Sequence, residues 1–177
     1  MLSIPDIGQL DAFAEPWRQL YAHSPLLSTL ILFGHLGGLF AAGRLTVAAD
    51  RATLRLDPSD ALDRRRHLGD LARQQRPVWI AFLVALLSGA LLFLADVEAF
   101  AVSSIFWTKM ALVAMLVSNA AITARLDAAL RREEAAPGEA RDAGAVAMRW
   151  RRRRAAAVVS AVLWFGLVLT GTALASH

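Results

Sequence analysis

The chain has 177 residues, 56% of them hydrophobic, with a mean hydropathy of +0.45 and a formal net charge of +4. That is too apolar for a soluble globule of this size, so the composition points to a membrane protein. Cysteine is absent, which excludes disulfides, thiolate metal sites, covalent c-type haem attachment and cysteine nucleophiles, and leaves His, Met or carboxylate to hold any cofactor.

The first 24 residues carry Asp6, Asp11 and Glu15 against Arg18 and lack the basic start and small-residue cleavage site of a signal peptide. The stretch LDAFAEPWRQLYAHS is expected to lie along the outer interface as a short amphipathic helix, with Trp17 and Tyr21 in the aromatic belt. Ser24-Pro25 then reads as an N-cap with proline in the first helical position. From there four apolar stretches have about the 20 residues needed to cross about 30 Å of hydrocarbon. They cover 25–43, 77–95, 103–124 and 155–176, the second opened by Pro77 and the third interrupted only by Lys109.

Between the first two stretches, segment 44–76 carries a run of arginines, and segment 125–154 carries another. Loops rich in Lys and Arg stay in the cytoplasm, which would put both termini outside and make DVEAF a short outer turn. Within the first loop, DPSDALDRRRHLGDLARQQR is expected to extend a span as helix, with Asp57 as cap and Pro58 in the first position. Pro137-Gly138 marks a break in the second loop. The cluster AVAMRWRRRRAAA sits immediately beside a span, so Arg151 and Arg152 are assigned to anionic lipid and Trp150 to the interface; a nucleic-acid partner is not expected. The predicted fold is therefore all-α: an integral membrane four-helix antiparallel bundle with helical cytoplasmic extensions, a single domain over 1–177.

Small residues mark where such helices approach one another. Gly34, Gly38 and Ala42 recur every four residues in the first span, as do Ala81, Ala85 and Gly89 in the second. These stripes fit contact inside the bundle, a homodimer, or a larger membrane complex. His35 lies on or beside the first stripe, about 14 Å deep by helical rise. A polar group at that depth needs a partner and should point inward. At comparable depth the other spans offer Ser88, Met110, Met115 and Trp164. Two readings stay open: the imidazole exchanges a hydrogen bond with Ser88 or a carbonyl, or it ligates a haem iron or a metal or relays a proton. A haem b would pair His35 with Met110 or Met115, be five-coordinate, or sit between two copies, because no second histidine lies within hydrocarbon. Copper fits the donor set less well.

Lys109 is the single lysine among 19 basic residues. It is expected to snorkel outward or pair with Asp96 or Glu98, with an anionic headgroup or quinone-like ligand as the sharper alternative. Asn119 and Ser118 suit interhelical hydrogen bonds. Asp63, His67 and Asp70 share a helical face and could hold a divalent metal, although a solvated salt-bridge face is the simpler reading. His23 and His177 could meet at the outer surface beside Asp96 and Glu98. Serine-nucleophile, phosphate-loop and dinucleotide patterns are absent, and nothing in the spans suggests a transporter's broken helices.

Four stretches, HLGGLFAAGRLTVAAD, RPVWIAFLVALLSGALLFLAD, SSIFWTKMALVAMLVSNA and SAVLWFGLVLTGTAL, resemble a group of small four-span bacterial inner-membrane proteins. More distantly, they resemble the membrane domain of CopD-type copper-resistance proteins. The resemblance implies a bacterial inner-membrane bundle with His35 at that group's first-span histidine. The CopD-type domain has more spans and further His and Met ligands that are missing here. The expectation for function is a redox or metal- or haem-associated membrane module with His35 as ligand and Met110 or Met115 as the candidate second ligand. Its rival is a non-catalytic scaffold or accessory subunit that meets lipid or a partner through the glycine stripes and Lys109.

Overall fold

The computed structural model describes residues 4–57, 59–135 and 143–175. Six helices follow in order: α1 (Ile4–His23), α2 (Pro25–Arg55), α3 (Ala61–Ala95), α4 (Val97–Val102), α5 (Ser104–Ala135) and α6 (Ala143–Ala175). The fold is all-α. Helices α2, α3, α5 and α6 are each long and apolar enough to cross a membrane. They form a ring in which α2 packs most extensively on α3, α5 on α6, and the two pairs join through α2 with α6 and α3 with α5.

The outer surface explains the composition. Leu26, Leu30, Phe33, Leu36 and Phe40 of α2, Ile80, Leu83 and Leu87 of α3, and Val158, Val162, Phe165 and Leu169 of α6 are all exposed. The buried set includes Asp50, His67, Ser88, Asn119, Asp127 and Arg153. Apolar patches this extensive are rare on soluble monomers, whereas a bilayer accepts them and drives polar groups inward. The chain is a multi-pass membrane protein.

Local chemistry sets the helix ends. Ser24 caps α2 by accepting from the Leu27 amide, with Pro25 following as expected. The start of α3 differs from the sequence reading. Asp60, not Asp57, is its N-cap, its Oδ1 accepting from the amides of Leu62 and Asp63 at 2.8 and 3.1 Å. Asp57 instead closes the preceding turn by accepting from the Ser59 amide and hydroxyl; Pro58 lies outside the described residues, as do Pro137, Gly138 and His177. Pro77 does not open a helix but lies inside α3, which runs through it. A charge-free window marks the lipid-depth part of a helix, while the backbone ladder continues as long as residues with helix propensity do. DVEAF forms α4, capped by the Asp96 carboxylate on the Ala99 amide. The loops 44–76 and 125–154 are largely helical continuations of the spans, as expected.

Helix α1 packs against α3, α4 and α2. Trp17, expected in an aromatic belt, donates its indole N–H to the Leu91 carbonyl at 2.9 Å and so ties α1 to α3. Two apolar clusters fill the bundle. Ala42, Leu116, Leu163, Trp164 and Leu167 form the middle one, and Leu68, Leu71, Leu130, Val146 and Trp150 the one at the arginine-rich end.

Candidate functional site

The small-residue stripes of α2 and α3 face each other. A Cβ on Gly38 would come within 2.8 Å of the Ala81 carbonyl oxygen and the Ala85 amide nitrogen, so only glycine permits this backbone approach. Gly34 meets α3 at ordinary van der Waals distance. One turn further along α3, a Cβ on Gly89 would lie 2.9 Å from His35 Cε1; the imidazole rests on that glycine.

Close approach brings His35 to the facing backbone. Its Nδ1 lies 2.8 Å from the Ala85 carbonyl oxygen. A carbonyl can only accept, so Nδ1 carries the proton and Nε2 keeps its lone pair in the neutral ring. Ser88 does not bond the imidazole directly. Its hydroxyl donates to the Val84 and Ala85 carbonyls, so Ala85 oxygen accepts from both side chains. This is the carbonyl partner expected for a membrane-depth histidine, and it is also how proteins fix a ligating imidazole by its second nitrogen.

His35 borders a cavity of about 490 Å³, within the range of cofactor sites. The walls are apolar, with Phe82, Phe93, Phe100 and Phe106 among them, and the lining also includes Lys109 and the thioether of Met110. The aromatic rings pack on one another, Phe93 and Phe106 stacked at 5.1 Å between centroids and Phe100 and Phe106 tilted against each other at 5.5 Å. Lys109 makes no ion pair with Asp96 or Glu98 among the described residues; it turns to the cavity, within electrostatic reach of His35.

The remaining expected site residues separate. Met115 is 48% exposed and does not line the cavity. Five residues from Met110, it is rotated by about 140° on the helix. Trp164 sits farther along the bundle, its ring on Gly43, where a Cβ would be 3.2 Å away. Trp150 is 3% exposed, packed on His67 and the second cluster rather than anchored at an interface, while Arg151 and Arg152 are exposed. Asn119 donates to the Ala156 carbonyl across α5 and α6 at 3.0 Å, whereas Ser118 bonds back within its own helix. His67 turns away from Asp63 and Asp70 into the bundle. The Thr53 hydroxyl donates to the Ala49 carbonyl and accepts from His67 Nε2 at 2.9 Å. No group of three or more His or carboxylate side chains suited to a metal occurs among the described residues.

A buried ionic cluster at the arginine-rich end escaped the sequence reading. Arg153 is 3% exposed; its Nε donates to Asp127 at 2.8 Å and its Nη1 to Asp50 at 3.2 Å, joining α6, α5 and α2. Around it Arg64 pairs with Glu134 at 2.6 Å, Arg149 with Glu133, and Arg154 donates to the Leu56 carbonyl. The signal was present: Val146, Trp150, Arg153, Ala157, Ser160, Trp164 and Leu167 recur at alternating steps of four and three, and all are buried. Comparison with family models, curated proteins and solved structures finds no match.

Proposed function

We propose that the chain is a membrane redox module that holds a planar apolar cofactor of the haem b type in the cavity beside His35. The observation that carries this reading is the Nδ1 hydrogen bond to Ala85, which leaves Nε2 as the nitrogen able to ligate iron. Met110 is then the candidate second ligand, because it shares the cavity with His35, and Met115 drops out. Lys109 supplies a cation for a carboxylate substituent, and the phenylalanine walls exclude water from the apolar ring. What such a group supplies when bound is one-electron chemistry; the chain orients it and tunes its environment. Copper is less well served, since it would need further ligands around His35. In this reading the bundle sits in a bacterial inner membrane, with the arginine-rich end in the cytoplasm, Arg151 and Arg152 on anionic headgroups and both termini outside.

Purified protein should show a Soret band that disappears in His35→Ala, shifts in Met110→Leu and persists in Met115→Leu. Colourless preparations overturn the haem reading. The second reading, an accessory subunit, draws on α2, whose exposed face presents Phe33, Leu36 and Phe40 around Gly37, a glycine with open space before it. A colourless protein that always copurifies with one fixed partner, and loses it in Gly37→Leu, would establish that reading instead.

A further inference from the structure

A second cavity, of about 130 Å³, lies between α2, α3, α5 and α6 on the arginine-rich side of the bundle. Asp50, Gln74, Asp127, Arg153, Ser160 and Trp164 are among its polar lining residues. Three buried atoms of that lining, Asp50 Oδ2, Gln74 Oε1 and Trp164 Nε1, have no hydrogen-bond partner among the described residues. Asp50 is 4% exposed and Trp164 7%. Polar groups buried at this depth are almost always satisfied, so each orphan calls for an explanation. The explanation must offer donors to two oxygens and an acceptor to one indole N–H.

Charge narrows the class. Asp50 and Asp127 share the single guanidinium of Arg153 through one oxygen each, and the Ser160 hydroxyl is directed at Asp50. Arg131 and His67 lie within electrostatic reach of Asp127, but neither lines the cavity. Asp50 therefore keeps half a countercharge and a free oxygen, a site for a positively charged donor and a hostile one for an anion. Trp79, Phe82 and Trp164 add aromatic rings, which favour an organic cation over a hydrated inorganic one. Size sets the scale: a cavity of about 150 Å³ accommodates benzene, so this volume suits a group of about six non-hydrogen atoms or fewer.

We propose that this cavity binds a small protonated amine carrying a hydroxyl, of the size of a two-carbon amino alcohol. The ammonium donates to Asp50 Oδ2 and Gln74 Oε1, and the hydroxyl accepts from Trp164 Nε1. The lining of the site shares only Phe82 with that of the His35 cavity, and the proposal does not depend on what that cavity holds.

Calorimetric titration of the full chain in detergent with ethanolamine tests it. Saturable one-to-one binding is expected, at least ten-fold tighter than for choline, which has no N–H, or for ethylene glycol, which has no charge. Asp50→Asn should weaken ethanolamine at least ten-fold. Trp164→Phe should lower its affinity to that of ethylamine, while leaving ethylamine unchanged. His35→Ala should bind as the wild type does. If Asp50→Asn does not fold, Gln74→Leu, which lies outside the ion pairs, should still lose affinity several-fold. Absence of saturable binding, equal binding of choline, glycol or potassium, wild-type affinity in both Asp50→Asn and Gln74→Leu, or loss of binding in His35→Ala would each overturn the proposal.

Discussion

The two ends of the bundle are held together in different ways. Around His35 the helices meet through backbone. Gly38 lets α2 touch α3, the imidazole spends its one donor on a carbonyl, and Lys109 faces the cavity without an ionic partner among the described residues. Around Arg153 they meet through charge, with one guanidinium tying three helices and further arginines pairing with Glu133 and Glu134. The first arrangement sets a few polar groups beside a large apolar cavity; the second gathers many, most of them in ion pairs but with Asp50 Oδ2, Gln74 Oε1 and Trp164 Nε1 left over. Ligand capacity and cohesion are thus divided along the bundle axis, with the small cavity at Asp50 placed where the ionic cluster falls one donor short.

If cohesion at the arginine-rich end rests on charge, Arg153→Met is the largest expected loss. It would strand two buried carboxylates at a cost of about 3–5 kcal/mol. Denaturant unfolding in detergent measures this, and the triple variant Arg153→Met, Asp50→Leu, Asp127→Leu should recover most of the loss by removing the stranded charges together. A triple variant no better than the single one would mean that packing, not electrostatics, holds this end. Next in size is Gly38→Ala, whose new methyl would press on α3 backbone that cannot swing aside. Overpacking of this kind typically costs about 1–3 kcal/mol. Gly34→Ala, with its nearest atoms at 3.9 Å, should stay within about 0.5 kcal/mol of the wild type. Equal effects at the two glycines would refute the backbone contact.

These contrasts also explain what could be read from the sequence. The spans were legible because a bilayer demands charge-free length, and the inward turn of His35 because it stands beside Gly34 and Gly38. Choosing between Met110 and Met115 required only helical phase, which separates residues five apart. Arg153 was hidden by its neighbours: in RWRRRR every position looks basic and exposed, and only the spacing with Trp150 and Ala157 singles it out. The partners Asp50 and Asp127 are distant in the chain, and no local pattern announces that α2 and α5 bring them to one arginine. Pro77 reads as the start of a helix for a related reason, since charge-free length reports hydrocarbon and not hydrogen bonding.

On the His35 side the finest lever is Gly89→Ala. The added methyl would meet the imidazole at Cε1 and Nδ1, pushing the ring from the Ala85 carbonyl and costing about 0.5–1.5 kcal/mol, the net worth of one hydrogen bond. The sharper readout is nitrogen NMR of the ring. The wild type should show the Nδ1–H form, and Gly89→Ala should lose that preference while Gly34→Ala keeps it. An unchanged tautomer in Gly89→Ala would mean that the imidazole orientation does not depend on the glycine, whereas a wild type without the Nδ1–H form would remove the support for the proposed ligand geometry.

The smallest effect belongs to the turn joining α2 to α3 at the charged end. The Ser59 amide, and after it the Ser59 hydroxyl, hold the Asp57 carboxyl below its ordinary range, with a lesser contribution from Arg154. A depressed carboxylate favours the folded state above its ordinary range, and this contribution fades as pH falls through the depressed value. Because Asp57 is fully exposed, solvent screens its charge and the slope should be slight. Carbon NMR titration should find Asp57 below the usual aspartate range, and Ser59→Ala should raise it only part of the way, since the amide remains. A return to the ordinary range would make the hydroxyl the dominant partner and reverse the assigned order. No shift at all would assign the depression to the amide alone and remove the hydroxyl from the account of this turn.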